Sequence, residues 1–180
     1  MDERLLMWSS LLTGLIAVAF TISSLSDPAY YDPQTAADYV ASALGEVLFV
    51  AMAFTLVVWW RVTPVRRGAW LLLVAAGGFV LWSIGNVLEE ILRVEFGVYL
   101  FFVGSPTGYV ATGIAGIAAL TSPSRWRWSG LVLLGVVLSL SNQDFMITSI
   151  PWIAFAFVLW RRLLDEPPAV ISETSELSGG

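Results

Sequence analysis

Residues 128–160 read WSGLVLLGVVLSLSNQDFMITSIPWIAFAFVLW, and how often this stretch crosses a bilayer decides the topology of the whole chain. It is apolar at both ends and interrupted in the middle by Ser141-Asn142-Gln143-Asp144. A crossing helix needs ~20 mostly apolar residues to cover a ~30 Å hydrocarbon core. As one span the stretch is too long. As two, 128–141 and 145–160, it gives helices that are short for a crossing.

Charge placement arbitrates. Upstream, the segments 5–25, 39–60, 69–92 and 97–120 are each long and apolar enough to span. With two further crossings, the N-terminus, the 61–68 and 121–127 loops and the C-terminus share one side. That side then holds Arg4, Arg61, Arg66, Arg67, Arg125, Arg127, Arg161 and Arg162, leaving Arg93 with the acidic Asp27, Asp32 and Asp38 opposite. Positive charge gathers on the cytoplasmic side of membrane proteins, and a five-span chain would export Arg161 and Arg162. The expected fold is therefore an all-α integral membrane bundle of six transmembrane helices with both termini cytoplasmic. It forms one domain over 1–163 in the plasma membrane of a prokaryote. The tail 164–180, with Pro167-Pro168 and many Ser, Glu and Gly, cannot bury a core and is expected to be disordered. The first apolar run exceeds a signal-peptide h-region and no small-x-small site follows it, so it reads as a retained span. Trp8, Trp59, Trp60, Trp70, Trp126, Trp128 and Trp160 fall at cytoplasmic helix ends, where indoles anchor. Trp82 and Trp152 do not.

Composition narrows the chemistry. The chain of 180 residues is 57% hydrophobic and 13% charged, against ~45–50% and ~25% in soluble domains. That excludes a soluble enzyme, a disordered chain and, with a net charge of −5, a nucleic-acid binder. There is no Cys, no His, and no Lys, since all nine cations are Arg. Thiol chemistry, His-based metal or haem sites and lysine Schiff bases are thereby excluded, and neither cofactor nor metal is expected.

What remains is carboxylate, amide, hydroxyl and aromatic ring. Glu46 is the sole charge well inside a span. Such a carboxyl faces a bundle interior or a cavity and is held neutral or paired, with Arg93 the only cation on its side. Asn86 and Glu90 are four apart and share one helix face; Glu89 and Arg93, also four apart, form a local pair on another. Asp144 reads as the N-cap of the last helix at the 141–144 turn, with Tyr30 and Tyr31 in the outer loop. Gly104, Gly108, Thr112 and Gly116 make a small-residue stripe that admits a close helix, within the chain, in a partner subunit or in a homo-oligomer. Pro106 frees a backbone carbonyl, with Ser105, Thr107 and Tyr109 as polar neighbours, so 104–109 would line a kink cavity.

Three resemblances bear on function. The length and six-span layout resemble the substrate-binding subunits of energy-coupling-factor vitamin importers. Within that layout, Ser105-Pro106-Thr107-Gly108-Tyr109 is similar to the Gly-Pro-Thr-Gly-Gly-Tyr stretch of the biotin-specific members. Asn86 to Glu90 on one helix, with Asp144 ahead of an aromatic last helix ending in Arg161-Arg162, resembles membrane-embedded terpene cyclases. That resemblance implies carboxylic acids protonating an isoprenoid, with Glu46, Glu90 or Asp144 as the acid. Glu89-Glu90-Ile91-Leu92-Arg93 is similar to the Glu-Glu-xxx-Arg box of intramembrane prenyl-type proteases, but its Arg is one position too close and no His is present. None extends beyond a short stretch, and none assigns a family. The leading expectation is a non-enzymatic membrane protein, a transporter or accessory subunit, that binds a small, partly apolar or cationic ligand in its outer half. Glu46, Asn86, Glu90, Ser105, Thr107 and Tyr109 would form the site, with lipids as surroundings. An acid-catalysed enzyme acting on a lipid or isoprenoid, and a purely structural subunit, are the alternatives.

Overall fold

The computed structural model describes residues 2–26, 33–63, 68–123, 127–141 and 145–165. Asp27, Tyr30, Tyr31, Asp32, Asp144 and the tail beyond 165 lie outside them. Among the described residues there are six helices and no strand. These are α1 (Asp2–Ser26), α2 (Ala36–Val62), α3 (Trp70–Asn86), α4 (Phe96–Leu120), α5 (Ser129–Ser141) and α6 (Phe145–Asp165); α3 runs on into a π-helical turn, Val87–Ile91. Four stretches, Glu3–Ser24, Ala36–Val62, Trp70–Ile91 and Phe96–Leu120, are long and apolar enough to cross a membrane.

Two boundaries differ from the sequence expectation for identifiable reasons. Asp38 is not a loop residue. It sits in the first turn of α2 as the third residue of a capping box, its Oδ2 accepting from the backbone N–H groups of Gln34 and Thr35 at 2.8 and 2.7 Å. Thr35 Oγ1 accepts in return from the Asp38 N–H, so the helix gains a turn that hydropathy alone did not count. The last helix continues past Trp160 to Asp165, because Arg and Leu are good helix formers whatever their polarity.

Each helix packs on the next in the chain, and α6 returns to α1, so the six close a ring. Neighbours run antiparallel. Thr13 and Thr55 share a 3.0 Å hydroxyl contact between α1 and α2. Between α3 and α4 the backbones nearly touch: a Cβ on Gly78 would lie 2.7 Å from Gly108 Cα, and one on Gly85 2.5 Å from the Phe101 nitrogen. The stripe of Gly104, Gly108, Thr112 and Gly116 is buried within this chain, its upper part against α3 and Gly116 against α5. Such close approach gains dispersion contacts that larger side chains would prevent.

The centre of the ring is filled at one end only. Trp59 stacks on Phe155 at 4.2 Å between ring centroids and meets Trp152 edge-on at 6.4 Å, while Trp128 abuts Phe155 at 5.5 Å. Trp59 is thus a core residue and not an interfacial anchor. Its neighbour Trp60 is exposed, as are Trp8, Trp70 and Trp160. This plugged end carries Arg4, Arg61, Arg127, Arg161 and Arg162 at the helix termini.

Candidate functional site

The opposite end of the ring holds a cavity of about 530 Å³. Three helices supply most of its wall, each by one face at helical spacing. From α2 come Ser42, Gly45, Glu46 and Phe49; from α3 and its π-helical turn come Trp82, Asn86, Glu89 and Glu90, with Arg93 just beyond; from α4 come Val98, Phe101, Phe102, Ser105 and Tyr109. Phe20 of α1 and Leu140 of α5 complete the lining.

Glu46 is 8% exposed, buried among these elements. Its Oε1 accepts a 2.9 Å hydrogen bond from the Asn86 side-chain amide, joining α2 to α3. Its Oε2 is buried with no hydrogen-bond partner among the described residues. The Ser83 hydroxyl lies close by, donating to the Glu46 main-chain carbonyl at 3.5 Å. The partner of Glu46 is therefore an amide one helix away and not Arg93. Buried carboxyl oxygens are nearly always satisfied, so this oxygen is an unmet polar demand in the wall beside the cavity. Glu90 lies on the same wall, its Oε2 accepting from the Ser42 hydroxyl at 3.1 Å.

Four polar residues converge at the end of α3, where it passes into the π-helical turn. An i→i+5 turn is wider than an α-turn and rotates the residues after it. Asn86, Glu89, Glu90 and Arg93 stand at i, i+3, i+4 and i+7, so they share one helical face, and the expectation that Glu89 and Arg93 occupy a different face is corrected. All four line the cavity, and the chain then leaves through Arg93 at φ 56, a left-handed conformation uncommon for a side chain of this size.

Below the carboxyls lies an aromatic floor. Phe49 stacks on Trp82 at 4.2 Å, Trp82 meets Phe101 edge-on at 5.8 Å, and Tyr109 packs against Trp82 at 5.3 Å. Tyr109 Oη donates to the Leu140 carbonyl at 3.0 Å, tying α4 to the end of α5. The cavity is a cup, ionisable towards the rim and aromatic at the base.

Of the residues singled out from sequence, Glu46, Asn86, Glu90, Ser105 and Tyr109 meet in this cavity and Thr107 does not. The Thr107 hydroxyl donates back to the Val103 carbonyl at 2.6 Å, its ordinary use within a helix. α4 runs unbroken through Pro106, so 104–109 cannot all face one way. Ser105 and Tyr109 turn to the cavity, whereas Gly104 and Gly108 turn to α3. Asp144 lies outside the described residues. Sequence reasoning passed over Ser42, Phe49, Trp82 and Phe101. The spacings 42, 45, 46, 49 and 98, 101, 102, 105, 109 each trace one helix face, a signal hidden because the other faces are apolar too.

Set against known protein families, characterised proteins and solved structures, the chain matches none.

Proposed function

We propose that this protein spans the plasma membrane six times, with both termini and the Arg-bearing end cytoplasmic, and that its outward cavity binds a small, partly apolar organic cation. It serves as a transporter or accessory subunit. The observation that carries the reading is the buried Glu46 carboxyl, one oxygen held by Asn86 and the other without a hydrogen-bond partner among the described residues, at the wall of an aromatic-floored cavity. An ammonium group against this carboxyl supplies what it lacks, a counter-charge and a further donor. The rings below favour the same ligand, because a cation is attracted to an aromatic face within ~6 Å of its centroid. The plugged base supports binding over conduction.

The test is ligand binding by the purified protein in nanodiscs, followed by native mass spectrometry and tryptophan fluorescence. A panel of alkyl- and arylammonium ions is compared with the matching uncharged alcohols. The expected result is at least one ammonium bound tenfold or more tightly than its alcohol, with the preference lost in Glu46→Gln. A charge-assisted hydrogen bond contributes about 1.5–3 kcal/mol, which sets that factor. If alcohols bind as well as ammonium ions, the reading fails. It also fails if Glu46→Gln keeps binding but abolishes turnover of an isoprenoid epoxide, which would establish the acid catalyst instead.

A further inference from the structure

The cavity is not walled equally on all sides, and the helix lengths show where it is open. α5 has only 13 residues. It pairs with the lower part of α4: Gly130 lies against Leu120 and Gly116, Gly113 faces Val137, and Tyr109 bonds to Leu140. There α5 ends, while α4 continues from Gly108 back to Phe96, a further ~20 Å at ~1.5 Å per residue. α6 begins low as well, since Gly14 of α1 lies against Ser149 and Ile153, which sets Phe145 near the level of Phe20. Above that level the ring lacks its fifth and sixth members among the described residues. Its free edges are the end of α1 and the upper half of α4.

The cavity lies at this gap. Its α4 lining, Val98 to Ser105, belongs to the part of α4 that rises above α5, and no described α6 residue lines it. Phe102 both lines the cavity and is 66% exposed on the outer surface of the bundle. A helix of 13 residues covers ~20 Å of a ~30 Å hydrocarbon core. The side opening therefore faces acyl chains, not water.

We propose that the cavity is a lateral site for a cationic amphiphile of the outer leaflet, its ammonium group at Glu46 and Glu90 and its alkyl chain leaving between Phe20 and Phe102 into the bilayer. The inference rests on the cation-binding reading above and adds the ligand's class and its route. A chain that stays among acyl chains loses no apolar burial on binding, so the headgroup interaction decides selectivity. A water-soluble cation has no such tether and gains nothing from the side opening.

The test uses the full chain in nanodiscs doped with dodecylamine, with dodecanol as the neutral chain control and butylamine in the buffer as the soluble headgroup control. Dodecylamine is expected at tenfold or greater occupancy over dodecanol by native mass spectrometry, and butylamine at concentrations that saturate dodecylamine is expected to leave the protein empty. Glu46→Gln and, separately, Glu90→Gln reduce dodecylamine occupancy tenfold or more; the second variant stands if the first fails to fold. A dodecylamine carrying a diazirine at its tail labels the α4 segment around Phe102. Equal binding of butylamine and dodecylamine overturns the lateral route while leaving the cation reading intact. Tail labelling confined to α2 and α3 does the same. If neither amine binds, both proposals fall.

Discussion

At the scale of single residues, the Glu46–Asn86 contact joins stability to function. Removing the amide in Asn86→Ala leaves both carboxyl oxygens buried without a donor, which costs about 1–3 kcal/mol. Ser42→Ala removes the donor to Glu90, which lies at the more open rim, and costs less than about 1 kcal/mol. Thermal unfolding in detergent, followed by tryptophan fluorescence, is expected to show a clearly larger drop for Asn86→Ala than for Ser42→Ala. Equal drops would mean that the amide contact adds nothing particular.

Among the elements, the α3–α4 pair and the π-helical turn have separable roles. Gly77 and Gly78 are adjacent, yet a Cβ on Gly77 meets nothing within 4 Å while one on Gly78 runs into the backbone of α4. Gly78→Ala is expected to lower stability by about 1–3 kcal/mol through overpacking. Gly77→Ala is expected to be neutral or to stabilise by up to about 1 kcal/mol; guanidinium or heat titration of the pair decides. The π-helical turn is tested by deleting Leu88, which shortens it by one residue and shifts Glu90 relative to Ser42. The bundle is expected to melt within a few degrees of wild type while ammonium binding falls tenfold or more. Loss of folding with loss of binding would make the turn a structural necessity. The elements were largely legible in the sequence because each is a long apolar run bounded by charge. The convergence at the cavity was legible only in part. Glu46 announces itself as an isolated charge, and Asn86, Glu89, Glu90 and Arg93 at i, i+3, i+4 and i+7 share one face, which pairing them only by fours divides in two, while nothing in Val87–Ile91 distinguishes a π-turn from an α-turn. Trp59 and Trp60 are indistinguishable by hydropathy, and only packing sends one to the core.

For the whole molecule, the orientation can be read with chemistry the chain itself lacks. With no native Cys, a single introduced thiol gives an unambiguous label. Glu95→Cys, beside the cavity end of α4, is expected to react with a membrane-impermeant maleimide in intact cells. Arg127→Cys, at the plugged end, is expected to react only after lysis. The reverse pattern would invert the proposed orientation. The ring of contacts also constrains the order of assembly. Among the described residues, every extensive interface but one joins helices that emerge consecutively from the ribosome and can pair as local hairpins, the fast kind of contact. The exception is α1 with α6. Gly14 therefore waits for its packing partner for as long as it takes to make more than a hundred intervening residues. A ribosome stalled before α6 would leave an open crescent, and the unclosed seam would mark that product for quality control.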